Sequence, residues 1–150
     1  MKKAIVLFFL LFCVGCVSAT IPHYLQDKSP YKKKFYASYD DTLKAVQTTL
    51  KDLGWKISSV SDPVVYEQNS ASNNEAIPKQ ILMFTDVRQT AFLLGTHYSK
   101  MNIFVRSLTE GTEVEIRYIT VTSTPFKTLE NYKNDNAVQR IFDHIEKVLK

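Results

Sequence analysis

The chain has 150 residues, of which 45% are hydrophobic, 12% aromatic and 23% charged. This is ordinary globular composition for one domain. A chain of this length buries about two-thirds of its unfolded surface, so it needs neither disulfides nor metal ions to fold. The formal net charge is +4, and Lys2 and Lys3 at the N-terminus contribute two of these charges. The excess that remains is too small to indicate a nucleic-acid-binding surface.

The first residues of the chain, MKKAIVLFFLLFCVGC, are laid out as a secretory signal peptide. Two lysines precede an uninterrupted apolar run from Ala4 to Val14, and small residues follow. This run is too short to cross the hydrocarbon core of a bilayer as a helix, which needs about 20 residues. It therefore predicts an export leader rather than a transmembrane helix.

Both cysteines of the chain lie in the sequence CVGC, residues 13–16. This sequence resembles the lipobox of bacterial lipoproteins, in which a small residue precedes an invariant cysteine that is diacylated before the leader is cleaved immediately upstream. Gly15 and Cys16 match that pattern, whereas Cys13 stands where leucine is usual. The resemblance implies that residues 1–15 are a signal peptide that is removed, and that Cys16 becomes the lipidated N-terminus.

The residues that follow Cys16 bear on the destination of the protein. In many Gram-negative lipoproteins an aspartate after the cysteine favours retention in the inner membrane. Val17 and Ser18 lack it, so the resemblance implies an outer-membrane lipoprotein that faces the periplasm. An alternative remains open, because the small residues before Thr20 also form a cleavage site after Ala19. Cleavage there would release a soluble secreted protein without an anchor.

Residues 16–32 are polar, include Pro22 and Pro30, and show no sustained periodicity. They predict a flexible tether that follows the lipidated N-terminus and, fully extended, could reach about 50 Å from the membrane. At its end stands YKKKFY, residues 31–36. We interpret it as the solvated start of a first strand, and a contact with anionic lipid headgroups is the alternative. Residues 33–150 then form a single domain.

Two helices and several strands are predicted along this domain. The first helix, SYDDTLKAVQTTLKDLG, has capping residues at its start, leucines and valine at helical spacing, and a glycine that ends it. The final helix has a broad apolar stripe. The strand and loop predictions are, in chain order: strands at 55–60, 64–68 and 81–87, a polar loop at 69–79, a bulged turn at 92–98, a hairpin over 101–121, a long connection at 122–136 and the final helix at 136–150.

The strongest β pattern lies in the hairpin MNIFVRSL–TEG–TEVEIRYITV. Apolar and polar residues alternate along both strands, so one face of the hairpin is apolar and the other is charged. Such alternation is typical of an antiparallel sheet with one face on the core and the other in solvent. We therefore expect the charged face of this hairpin to be solvated.

The element order is β-α-β-β-β-β-β-α, which predicts an α+β domain with an antiparallel sheet of about five strands packed against two helices. With the helix junction at Leu53, Gly54 and Trp55 and the closing amphipathic helix, it resembles the helix-grip-like domains of small envelope lipoproteins, among them the BAM-complex subunit BamC. The resemblance covers residues 33–150. It implies a domain that contacts other proteins of the cell envelope.

No constellation of residues predicts an enzyme. His23, His97 and His144 are scattered, and neither a zinc-ligand spacing nor a phosphate-binding glycine loop occurs. No serine stands in a nucleophile elbow. The acidic pairs of the chain are interpreted as a helix cap and a solvated strand face. We therefore expect no catalytic residues, no metal and no cofactor.

One group of residues suggests a partner surface. Phe104 falls on the charged face of the hairpin, beside Arg106 and near Arg117. An exposed aromatic residue with arginines is typical of protein interfaces. The alternative is that these residues pack under the long connection at 122–136.

Three hypotheses on function follow. The first is a non-enzymatic, lipid-anchored cell-envelope protein that presents its α+β domain for protein–protein interaction, for instance in envelope assembly. Its partners would be the membrane, through the lipid at Cys16, and an envelope protein. The second is a periplasmic module that binds a small apolar or lipidic ligand between the sheet and the final helix. The third is a soluble secreted factor produced by cleavage after Ala19.

Overall fold

The computed structural model describes residues 19–67 and 78–150. The predicted signal peptide over 1–15 and the lipidation site at Cys16 lie outside these residues, as does most of the polar loop predicted at 69–79. The tether predicted over 16–32 is described from Ala19 onward.

In the described part of the chain, two helices accompany one antiparallel sheet of seven strands. The elements are β1 (Tyr31–Phe35), α1 (Tyr39–Asp52), β2 (Ile57–Ser61), β3 (Gln80–Thr85), β4 (Arg88–Phe92), β5 (Gly95–Ser107), β6 (Thr112–Ser123), β7 (Thr128–Asn131) and α2 (Asp135–Leu149). The predicted α+β class is confirmed, and so are both helices. The sheet has more strands than the predicted five because β4 and β7 are short strands with every residue exposed, which gives them no alternating pattern.

The strand predicted at 64–68 is wrong over its described residues. Pro63–Val65 forms a single turn of 3₁₀ helix instead. Asp62 caps this turn by accepting a hydrogen bond from the backbone N–H of Val64 at 3.0 Å. Proline suits the first position of a helical turn, because its missing N–H has no partner there in any case. The chain consequently bends over the sheet at this point rather than joining it.

The long β5–β6 hairpin is the centre of the sheet. The second half of β5 pairs with β3 and its first half with β4, while the first half of β6 pairs with β1 and its second half with β7. Strand β2 extends the sheet beyond β3. Gly111 closes the hairpin with φ = 90°, where a Cβ atom would approach the Phe35 carbonyl oxygen to 2.3 Å. Only glycine fits this turn.

Both helices begin at the caps that the sequence provides. Ser38 accepts a hydrogen bond from the Asp41 backbone N–H at 3.1 Å, and Asn134 accepts one from the Ala137 N–H at 3.1 Å. Each cap satisfies a backbone donor that the first helical turn leaves free. The two helices lie side by side on one face of the sheet, which we call the helix face.

The helix face holds the main apolar core. Its strand residues are the apolar members of the alternating pattern, so this part of the prediction is confirmed. Val46 and Leu50 of α1 and Ile141 and Ile145 of α2 are at most 2% exposed. The strand residues buried beneath them are Met83, Met101, Ile103, Val105, Val114, Ile116 and Tyr118.

The opposite face of the sheet is covered as well, and the prediction that it is solvated is wrong. Residues 19–25, which we call the N-terminal segment, pack on this face together with the chain at 66–67. Leu25 is fully buried there. The segment is therefore part of the fold over its described residues rather than a flexible tether. The reason is that the side chains of Leu82, Phe84 and Phe104 point to this face from β3 and β5, and such an apolar surface would be exposed to solvent without the covering segment.

Candidate functional site

The three residues predicted to form a partner surface do lie together. The guanidinium carbons of Arg106 and Arg117 are 4.8 Å and 4.3 Å from the centre of the Phe104 ring. Phe104 is fully buried, however, and Arg117 is 8% exposed. Tyr24 of the N-terminal segment packs on Phe104, whereas Tyr132 of the connection at 122–136 packs on the neighbouring cluster of Leu25, Ile119 and Val121. The predicted lipidation site, Cys16, lies outside the described residues.

Two carboxylates pair with both arginines, and one of them, Glu115, was predicted to lie on a solvated strand face. Glu115 accepts a hydrogen bond from Arg106 Nη1 at 2.8 Å and another from Arg117 Nε at 2.7 Å. Glu67 accepts from Arg106 Nη2 at 3.1 Å and also from Arg117 Nη2. We call these four residues, with Tyr24, the charge cluster. Because two carboxylates face two guanidinium groups, its charges balance within the cluster.

The ionisation of the cluster follows from its geometry. Burial by itself would raise the pKa of Glu115, but the charges of Arg106 and Arg117 and their hydrogen bonds outweigh it and hold that pKa below its ordinary value of 4.5. Burial would lower the pKa of Arg117, but the hydrogen bond to Glu67 and the charge of Glu115 raise it instead. Both groups stay charged at neutral pH, so neither offers a proton for acid–base chemistry.

The charge cluster also holds the N-terminal segment on the sheet. Arg117 Nη1 donates to the Tyr24 hydroxyl at 2.6 Å and to the Leu25 carbonyl oxygen at 3.3 Å. The Leu25 N–H donates to Asn102 Oδ1 at 2.6 Å, within the buried interior. Lys100 Nζ donates to the Pro22 carbonyl oxygen at 3.2 Å. Side chains of β5 and β6 thus satisfy the backbone groups of a segment that has no regular structure.

An open polar cleft of about 460 Å³ lies where β5, β6 and β7 meet the start of α2. Two of its lining residues are in contact, with His97 Nδ1 2.9 Å from Thr122 Oγ1. Its walls are polar, formed by His97, Thr120, Thr122, Asn131, Lys133, Asn134, Asp135 and Asn136. Such a lining does not match the apolar pocket that the ligand-binding hypothesis predicts.

The described residues contain no group of three or more histidine, cysteine, aspartate or glutamate side chains placed to share a metal ion. Within 19–67 and 78–150, no helix is long and apolar enough to cross a bilayer. No protein-family model matches the chain, and the search of curated proteins finds no match.

Sequence reasoning missed the N-terminal segment and Glu67 as parts of this site. Tyr24 and Leu25 are adjacent large side chains in an otherwise polar stretch, and Asn102 stands among the apolar residues of a central strand. A buried amide in a strand needs a partner, which is the one feature that could have indicated a covering segment.

Proposed function

We propose that this protein is a non-enzymatic, lipid-anchored protein of the bacterial cell envelope, acylated at Cys16, in the outer membrane facing the periplasm. Its α+β domain contacts a partner protein there. The leader and the sequence CVGC support the anchor. The paired charges of the charge cluster and the polar lining of the cleft give no support to an enzyme or to an apolar-ligand carrier.

The packing of the N-terminal segment on the sheet limits the distance between the proposed anchor and the domain. Ala19 and Ile21 pack against the cluster of Leu25, Ile119 and Val121 on the sheet. Cys16 precedes Ala19 by three residues, and an extended chain covers at most about 3.6 Å per residue. The anchor therefore lies within about 11 Å of the folded domain, far less than the reach expected of a long tether.

A short anchor has a functional consequence. The domain stays next to the membrane, so its effective concentration is raised only for partners in the same thin layer. Strand β4 is hydrogen-bonded on one side only within the described part of the sheet, and all its residues are exposed. Such an edge supports pairing with an extended segment of a membrane-bound partner.

Intact mass spectrometry tests the anchor. The protein is expressed with its native leader in a bacterial host, beside Cys16→Ser and the matched control Cys13→Ser. We expect the wild type and Cys13→Ser to give a chain that begins at Cys16 and is heavier by acyl groups, whereas Cys16→Ser stays unmodified. A chain that begins at Thr20 with no added mass would refute the anchor and favour a secreted protein.

A crosslinking experiment then tests the partner. A photoreactive residue at Gln89, in the exposed strand β4, is compared with one at Lys44, on the exposed side of α1. We expect a discrete crosslinked protein in intact cells from position 89 and not from position 44. Equal labelling from both positions would contradict a specific contact at the β4 edge.

A further inference from the structure

Two turns at one end of the sheet carry three highly exposed apolar side chains. Leu93 and Leu94 form the turn between β4 and β5 and are 97% and 67% exposed. Phe126, in the turn between β6 and β7, is 94% exposed. Soluble proteins rarely present such side chains together, and a contiguous group of them indicates a contact surface. We call them the paired turns, residues 93–94 and 124–127.

The register of the central hairpin places the paired turns side by side. Thr96 pairs with Ser123, which brings the start of β5 next to the end of β6. A Cβ atom on Gly95 would approach the Ser123 carbonyl oxygen to 2.2 Å, so the two backbones are in close contact there. Phe92 and Leu129 flank the turns and are 40% and 51% exposed. The two turns therefore lie next to each other at one end of the sheet, and we call their exposed apolar side chains the patch.

Both turns are held in a defined shape. The Lys127 N–H donates to Thr124 Oγ1 at 3.1 Å, and the Thr124 N–H donates to the Lys127 carbonyl oxygen at 3.0 Å. The Phe92 ring stacks on His97 with ring centres 4.5 Å apart. The patch is therefore presented ready for contact, so ordering the turns adds little cost to binding.

The charge around the patch fits a lipid surface. No aspartate or glutamate occurs over residues 91–97 or 122–129, and Lys127 is the one lysine or arginine in either stretch. It directly follows Phe126. Lysine beside an aromatic residue suits the headgroup region, where the ring enters the apolar layer and the ammonium group meets anionic phosphates.

The N-terminal segment leads to the same end of the sheet. The Leu25 N–H donates a hydrogen bond to Asn102 of β5, and the Pro22 carbonyl oxygen, earlier in the chain, accepts one from Lys100. Lys100 is nearer than Asn102 to Gly95, where β5 begins beside the paired turns. Ala19 and Ile21 then pack with the cluster formed around Ile119 and Val121, toward the paired turns. Followed back toward Cys16, the chain therefore runs along the sheet in the direction of the exposed patch.

We infer that the paired turns are a membrane-contact surface, which enters the same lipid layer that holds the acyl chains at Cys16. This inference rests on the proposed lipid anchor for its orientation. Two attachments at one end of the sheet fix the axis of the domain relative to the membrane and strengthen its binding. Strand β4, which leads into the first turn, then stands beside the bilayer.

Depth-dependent fluorescence quenching tests the inference. The full lipidated protein is reconstituted in phosphatidylethanolamine–phosphatidylglycerol vesicles that contain brominated lipids. The variants are Phe126→Trp, Leu93→Trp and the matched control Tyr36→Trp, whose side chain is 85% exposed near Gly111 at the opposite end of the sheet. Trp55, the one native tryptophan, is buried and supplies a constant background. We expect bromine quenching of the tryptophans in the paired turns and not of the one at position 36.

Quenching that is equal at all three positions, or absent from the paired turns, would overturn the inference. Self-association that Phe126→Ser abolishes, with no quenching, would instead assign the patch to a second copy of the chain. Binding of a protein at the patch, again with no quenching, would assign it to that partner.

The same surface is testable if the anchor itself is refuted. The processed chain is then sedimented with vesicles of the same composition, beside Leu93→Ser and Tyr36→Ser. We expect Leu93→Ser to weaken vesicle binding about tenfold, as the loss of one buried leucine implies, and Tyr36→Ser to leave it unchanged. Loss of vesicle binding by Leu93→Ser would support the contact surface without the lipid. An absence of vesicle binding by the wild type would overturn the contact surface as well.

Discussion

The two faces of the sheet are closed in different ways. On the helix face, apolar side chains of α1 and α2 pack on apolar side chains of the strands. On the opposite face, an irregular segment covers arginines and glutamates together with phenylalanine and leucine. Alternate residues of the same β5–β6 hairpin build both faces. Alternation therefore tells which residues share a face, but not whether solvent or the chain itself covers that face.

The two faces should also respond differently to perturbation. Apolar packing on the helix face involves both helices and the central strands, so its loss affects the whole fold. The backbone of the N-terminal segment makes few hydrogen bonds to its neighbours, and its partners in these bonds are mainly side chains of the sheet. Regions of this kind open locally at a lower free energy than a core does.

The largest expected effect is on the helix face. Ile145 is fully buried against the sheet, and Ile145→Ala should lower the free energy of unfolding by about 3–4 kcal/mol through lost burial and a cavity. Denaturant unfolding followed by Trp55 fluorescence measures this, since Trp55 lies in the same core. The matched control is Val148→Ala in the same helix, where a 40% exposed side chain predicts a loss within about 0.5 kcal/mol. Equal losses would contradict the helix-face core.

Removing one charge from the charge cluster should come next. Glu115→Gln keeps the size of the side chain but leaves the charge cluster with one carboxylate, Glu67, for two guanidinium groups, which should cost about 3 kcal/mol of unfolding free energy. The matched control is Glu113→Gln, because Glu113 is 3.6 Å from Arg106 and its side chain is 26% exposed. We expect that control to cost less than about 1 kcal/mol. A cost of Glu115→Gln no larger than that of the control would show that the buried pairing contributes little.

A change in the N-terminal segment should be smaller and local. Leu25→Ala removes the buried anchor of the segment and should favour its opening by about 2 kcal/mol while the helix face stays folded. Lys28 is exposed just beyond it, so tryptic cleavage after Lys28 should become faster in Leu25→Ala. Gln26→Ala, at an exposed neighbouring position, is the control and should cleave at the wild-type rate. Cleavage of Leu25→Ala only after global unfolding would mean that both faces open together.

The helices and the central hairpin were predictable because their information is local. Caps, helical spacing and strict alternation lie within short stretches, and these elements form where the patterns predict them. One difference is that β5 already begins at Gly95, so the bulged turn predicted at 92–98 is wrong over 95–98. Strands β4 and β7 were not predictable in this way, because every residue in them is exposed. Their pairing is decided by the turns that return the chain to β5 and β6.

The candidate site was predictable only in part, because its contacts are distant in sequence. The proximity of Phe104, Arg106 and Arg117 follows from the alternation of one hairpin. Their burial depends on Tyr24, which precedes Arg117 by 93 residues, and on Glu67, which precedes it by 50. The sequence around Tyr24 has no periodicity, so it does not by itself indicate that these residues pack on a sheet.

The smallest expected effect is a difference in pH dependence between the two faces. The folded pKa of Glu115 lies below its ordinary value of 4.5, so its stabilising contribution is complete above that value and is lost as the pH falls through the folded pKa. We therefore expect the stability gap between the wild type and Glu115→Gln, measured by denaturant unfolding, to narrow as the pH is lowered from 7 to below 4. The gap between the wild type and Ile145→Ala should change less over the same range, because Ile145 carries no charge and is buried among apolar side chains. If both gaps stayed constant, the carboxylate of Glu115 would not be what distinguishes the two faces, and the fit of Phe104 beneath the N-terminal segment would have to account for the stability of that face.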